Sequence, residues 1–240
     1  MLFLVPVVTS VLAVYVLAAV LPGVFLLHYI YRHDTVEKEP AGLLVQLLMQ
    51  GVLSAWCASV LERLAQGVLS DLVEPGSPVY TILFAFLVVA LAEEGMKFFF
   101  LKRRTWTEPN FNYRFDGVVY AVFVSLGFAI YENILYVFSY GLTTALVRAI
   151  SAVPAHLSFA VVMGVFYGRA RLMENRGEYG AAKLSHTLGL LSAIVLHGFY
   201  DACAMIGTTI SVLAFVVFVV LMFIGVYGLV KRESATDAPV

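Results

Sequence analysis

The chain has 240 residues, a formal charge of −1 and a composition that is 61% hydrophobic and only 13% charged, with a mean hydropathy of +0.91. A soluble domain is about half apolar and about a quarter charged. This composition therefore excludes a globular enzyme with one anchor and indicates a polytopic membrane protein. No basic tract large enough for nucleic acid is present, so the expected surroundings are a lipid bilayer and no nucleic-acid partner.

Seven apolar runs follow in chain order, over roughly 2–30, 41–66, 79–101, 116–138, 143–168, 184–205 and 207–230. Each is long enough to cross a bilayer, which takes about 20 residues as a helix. The first run lacks a basic leader and is too long for a cleaved signal peptide, so it is read as a retained helix. It contains Pro6 and Pro22, and the fifth run contains Pro154, two residues before His156. A kink at Pro154 is expected to expose that histidine. The fold expected is all-α, a polytopic transmembrane bundle of about seven spans. It forms one domain over 1–232, with a motif-bearing core over 79–205 and a short disordered tail over 233–240. Cys57 and Cys203 lie within spans and read as small buried hydrophobes.

Charge alternates along the connections. Loop one carries Arg32 and Lys38; loop three Lys102, Arg103, Arg104 and Arg114; loop five Arg169, Arg171, Arg176 and Lys183; the tail Lys231 and Arg232. Loops two, four and six carry no Lys or Arg, with Arg63 and Arg148 at helix ends on that side. By the positive-inside rule the N-terminus is outside and the C-terminus cytoplasmic, in a multi-pass protein of a bacterial inner or plasma membrane.

The third span shows what its charges cost. It holds thirteen Leu, Ile, Val or Phe residues, worth about 6 kcal/mol of insertion, against roughly 9 kcal/mol for Glu93, Glu94 and Lys97 at a helix centre. Such a helix needs partners, and its polar face is expected to point into the bundle. Lys97 is i,i+4 from Glu93 and i,i+3 from Glu94, so it can pair with either. The two glutamates diverge by about 100°, so one can face a reaction centre as a general base. The bland alternative is a structural ion-pair patch. Later spans add Glu132, His156 and the pair His197 and Asp201. His197 and Asp201, four residues apart, share a helix face. A rise of about 1.5 Å per residue puts Glu132, His156 and His197 between the midplane and the outer third, with Glu93 and Glu94 nearer the midplane, so four consecutive spans carry these groups at overlapping depths. His28, His33 and His186 fall at helix ends and read as interfacial. Asp116 reads as an N-cap, and Gly127, Gly164 and Gly198 as close helix contacts.

The elements Glu93-Glu94-x-x-Lys97, Phe128-x-x-x-Glu132-Asn133, Pro154-x-His156 and His197-x-x-x-Asp201 resemble the PrsW family of intramembrane proteases. That family is similar to the wider group of CAAX-prenyl-protease and bacteriocin-processing membrane proteins, which show paired glutamates followed by Arg and a histidine where this chain has Glu132. The resemblance implies cleavage of a single-pass membrane protein, such as an anti-sigma factor in envelope-stress signalling. Glu93, Glu94, Glu132, His156, His197 and Asp201 are then the candidate catalytic residues, and Lys97 a structural ion pair. A water activated by glutamate and histidine is one mechanism. In the other, Glu132, His156, His197 and Asp201 bind Zn²⁺, since two histidines and a carboxylate are a recurrent catalytic zinc set. An ion-coupled transporter or a non-catalytic scaffold that grips partner helices would use the same residues differently.

Overall fold

The structure is a computed structural model that describes residues 4–240; the start of the first expected span, at residue 2, lies outside the described residues. Among the described residues the regular structure is all helix, apart from one isolated bridge between Tyr113 and Pro239. The helices are α1 (Leu4–His33), α2 (Ala41–Leu72), α3 (Pro78–Leu83), a π-helical segment (Phe84–Ala90), α4 (Leu91–Thr105), α5 (Asp116–Tyr140), α6 (Leu142–Ile150), α7 (Ala152–Asn175), α8 (Tyr179–Ile206) and α9 (Thr209–Ala235). Counting α3 to α4 and α6 to α7 as one segment each, seven segments are long and apolar enough to span a membrane.

The apolar pattern decides which spans are central. In α5, 72% of the most apolar stretch is buried, and in α6–α7 67%, against 17% for α1 and for α9. Thus α5 and α7 form the axis, while α1 and α9 turn most of their surface to lipid. Without a hydrophobic drive between helices in lipid, close approach depends on small residues. Gly127 of α5 lies against the backbone of α2, where a Cβ would sit 2.3 Å from the Leu48 carbonyl oxygen. Gly164 of α7 meets the Val118 backbone in the same way, and Gly198 of α8 faces the Phe86 ring.

Three local features differ from the sequence reading. The break in the fifth crossing lies at Ser151, between α6 and α7, and not at Pro154. Pro154 sits in the first turn of α7, where its missing N–H would have no intrahelical acceptor in any case. Asp116 is the first helical residue and not a cap. Its Oδ2 accepts from the backbone N–H groups of Asn112 (3.0 Å) and Tyr113 (2.7 Å), so it organises the preceding loop. His186 is not exposed at its helix end but buried in an aromatic cluster with Phe98, Trp106 and Tyr167.

The segment read as a tail lies against the bundle. Helix α9 continues to Ala235, buried Glu233 accepts from Arg114 at 2.7 Å, and the Val240 N–H donates to the Asn112 carbonyl. Both cysteines are free, Cys203 buried and Cys57 half-buried.

Candidate active site

Four helices bring the charged residues to one place. The π-helical segment ends just before Glu93 and sets the rotational phase of α4, a device often found beside functional groups. Glu93, Glu94 and Lys97 leave the same side of α4 and are 5%, 0% and 2% exposed. Lys97 Nζ donates to Glu93 Oε2 at 3.1 Å and to Glu94 Oε1 at 2.7 Å. It also meets His156 Nδ1 of α7 at 3.1 Å and lies 4.0 Å from the centre of the Phe128 ring.

These contacts assign the imidazoles. An ammonium has only donors, so His156 Nδ1 accepts from Lys97 and Nε2–H donates to Glu132 Oε2 at 3.1 Å. His197 of α8 presents Nδ1 to Glu94 Oε1 at 2.9 Å, and Nε2 to Asp201 Oδ2 at 3.3 Å and Glu93 Oε2 at 4.0 Å. Carboxylates flank both of its nitrogens, so a ring carrying N–H on both sides satisfies them all. His197 stacks on Phe159 with ring centroids 4.8 Å apart, and the two imidazoles are 5.4 Å apart.

All seven residues singled out from the sequence therefore meet: Glu93, Glu94, Lys97, Glu132, His156, His197 and Asp201. Their grouping as metal donors differs from the expected one. The residues whose ligand atoms all lie within 4.8 Å of one another are Glu93, Glu94, His156 and His197. Glu132 and Asp201 are not in that group, because the α4 glutamates project between the two histidines. Each instead holds one histidine from the far side. Two imidazoles with carboxylates fit a zinc donor set, and buried Glu94 Oε2 has no hydrogen-bond partner. The Lys97 ammonium draws on the same lone pairs.

Two residues escaped the sequence reading. Arg148 of α6, a helix-end charge by sequence, grips the site with its guanidinium. Nη2 donates to Glu132 Oε2 at 2.6 Å and Nε to Asn133 Oδ1 at 2.9 Å. Asn133 Nδ2 in turn donates to the Ala19 carbonyl of α1 at 2.8 Å. The strongly amphipathic pattern of α6 was the signal available. Glu62 of α2 is the second. With Glu93, Glu132, Arg148, His156, His197 and Asp201 it lines a cavity of about 210 Å³, room for several waters. Glu94 lies behind the wall of that cavity.

Comparison with known proteins gives the family. A family profile described as PrsW family intramembrane metalloprotease matches residues 39–227. Protease PrsW of Geobacillus kaustophilus (strain HTA426) is 35% identical over 186 residues, covering 77% of this chain and 76% of the relative. Protease PrsW of Bacillus subtilis (strain 168) is 31% identical over 218 residues, covering 91% and 94%. That of Halalkalibacterium halodurans is 30% identical over 222 residues, covering 92% and 97%. No solved structure matches. With its buried Glu/His cluster set among seven membrane-spanning helices, the chain belongs to the PrsW family of intramembrane metalloproteases, multi-pass membrane proteins that cleave peptide bonds.

Proposed function

We propose that the buried Glu93, Glu94, His156 and His197 group is the hydrolytic centre, and that it cuts a single-pass membrane protein of the anti-sigma-factor kind. The observation that carries this reading is the group itself: four metal-competent side chains, 0–5% exposed, beside a water-sized cavity inside a membrane bundle. In this reading the chain is one transmembrane domain. Its basic loops and C-terminus face the cytoplasm and its N-terminus faces out.

Glu93 lines the cavity and Glu94 does not, so Glu93 is the general base. It takes a proton from a cavity water as the water oxygen bonds to the scissile carbonyl carbon. His197 lines the same cavity, and with its Nε2–H held by Asp201 its positive ring stabilises the developing oxyanion electrostatically. The proton held by Glu93 then passes to the amide nitrogen as the C–N bond breaks. Glu132 and Asp201 hold the two imidazoles in orientation, and Arg148 and Asn133 hold Glu132. Once His197 has lost one of its two ring protons, His156, His197 and Glu94 would hold a zinc ion, which when bound would polarise the carbonyl and acidify the water.

The site lies toward the ends of α5 and α8 that are away from the basic loops. The cut is therefore expected in the outward part of the substrate helix. The test is proteoliposomes containing the purified chain and a panel of single-pass proteins, including anti-sigma factors of the host, with fragments mapped by mass spectrometry. Fragments cut near the outward end of a substrate helix support the proposal. Cuts only at the cytoplasmic end overturn the depth assignment, and no cut in any member of the panel overturns the substrate class.

A further inference from the structure

Glu62 lies on α2, about ten residues and so about 15 Å before that helix ends. It lines the 210 Å³ cavity, and also a smaller opening between α2 and α5 whose wall includes Ser59, Glu93, Tyr131 and Glu132. The two cavities share Glu62, Glu93 and Glu132, so Glu62 stands where the site meets a lateral opening.

The other ionisable groups around the cavity are engaged. Glu132 pairs with Arg148 and His156, Asp201 with His197, and Glu93 with Lys97. Among the described residues no hydrogen bond or ion pair includes Glu62. Its neighbour Arg63 turns away, with Nε donating to the Ser59 carbonyl at 3.2 Å. An unpaired carboxylate within a spanning segment is costly and marks a functional group.

The charge of the cavity wall says what Glu62 would meet. Four carboxylates, Glu62, Glu93, Glu132 and Asp201, line it; Arg148 is held by Glu132, the doubly protonated His197 ring by Asp201 and Glu94, and Lys97 by Glu93, so Glu62 is the carboxylate left without a cationic partner. A cationic side chain is therefore favoured there and an anionic one repelled. Lys and Arg near the end of a membrane helix lay an aliphatic stem along apolar surface while the charged head reaches for a polar site. Beside Glu62, α2 supplies such a surface with exposed Leu61, Leu64 and Val68.

We propose that Glu62 is a specificity-determining residue that receives a Lys or Arg of the substrate helix close to the scissile bond. This rests on the peptidase reading above. The probe is a fluorophore-labelled single-pass Leu/Ala peptide carrying Lys, Gln or Glu at one position two turns from its outward end. Binding is measured on the full-length Glu93→Gln form in nanodiscs, and cleavage on the form with Glu93 intact.

Binding of the Lys peptide is expected to be about tenfold tighter than that of the Gln peptide, with the Glu peptide weakest. Adding Glu62→Gln abolishes the preference and leaves the Gln peptide within about twofold; Glu62→Lys inverts it toward the Glu peptide. Equal binding of all three peptides overturns the inference, as does a Lys preference that survives Glu62→Gln. Equal loss of all three peptides in Glu62→Gln, with its melting temperature unchanged, also overturns it. A Lys preference in binding with no cleavage of any peptide supports the inference and counts against the peptidase reading.

Discussion

Replacing Lys97 with Met should unfold the site before it reports on chemistry. The ammonium lies 2.7 Å from Glu94 and 3.1 Å from Glu93, and all three groups are at most 5% exposed. At those distances each attraction is about 5–6 kcal/mol for an effective dielectric constant of about 20, and desolvation offsets much of it. Removing one member of a buried pair leaves an uncompensated charge and costs about 3–5 kcal/mol. For a chain of this length that corresponds to a fall of about 6–20 °C in melting temperature. The paired variant Glu94→Gln with Lys97→Met removes a buried anion along with the cation. It should recover more than half of the loss, because the two residues share one interaction. Thermal unfolding in detergent can be followed with a thiol-reactive dye in a Cys57→Ser background, where buried Cys203 becomes accessible only as the bundle opens. If Lys97→Met melts within about 2 °C of wild type, or if the paired variant loses the sum of the single losses, the ion pair does not hold the site together.

Gly127→Ala should cost about 1–3 kcal/mol, as overpacking does, because the new Cβ would sit 2.3 Å from the Leu48 carbonyl oxygen and force α2 off α5; an unchanged melting temperature would contradict that contact. Asp201→Asn leaves the cavity shape intact but weakens the hold on His197 Nε2, so kcat/KM is expected to fall about 10–100-fold with little change in melting temperature, and full activity would remove Asp201 from the site. Outside the spans, Asp34 and Glu39 are buried, and three of their carboxylate oxygens lack partners. Burial pushes Asp34 up to about 6 and Glu39 up to about 7, with Glu37, Lys38, Asp116, Tyr120 and Asp237 around them. Both groups bind protons more tightly folded than unfolded, where carboxyls titrate near 4. Their contribution to stability is therefore fully present below about pH 4 and is lost as pH rises through 6–7. The melting temperature should fall between pH 5 and pH 8, and less steeply in Asp34→Asn; equal slopes would contradict the assignment.

Hydropathy and charge made the seven spans legible, because lipid demands long apolar helices and leaves few alternatives. The site residues were legible for the same reason: Glu93, Glu94, Lys97, Glu132, His156, His197 and Asp201 are costly where they stand. What stayed hidden depended on contacts between helices. Hydropathy runs unbroken from α6 into α7, so the break at Ser151 left no mark and Pro154 was the more conspicuous residue. Arg148 lies at a helix end, where a charge needs no explanation, and only the packing of α6 against α5 shows that it holds Glu132. Glu62, near the end of the expected second span and next to Arg63, becomes notable only beside Glu93 and Glu132. The donor group itself could not be read from spacing, since which carboxylates fall between the histidines depends on the rotational phase that the π-helical segment gives α4. His186, a helix-end residue in sequence, is buried by aromatic side chains from α4 and α7 and from the turn after α4.

The measurement that bears most directly on a single hydrolytic centre compares wild type with Glu93→Gln, Glu94→Gln and His197→Ala. All are reconstituted in liposomes with a single-pass substrate that wild type cuts, with melting temperatures taken alongside. The account predicts substrate fragments from wild type alone, with Glu93→Gln inactive yet still folded and still binding substrate. Wild-type cleavage by folded Glu93→Gln and His197→Ala would contradict it and place the chemistry elsewhere in the bundle.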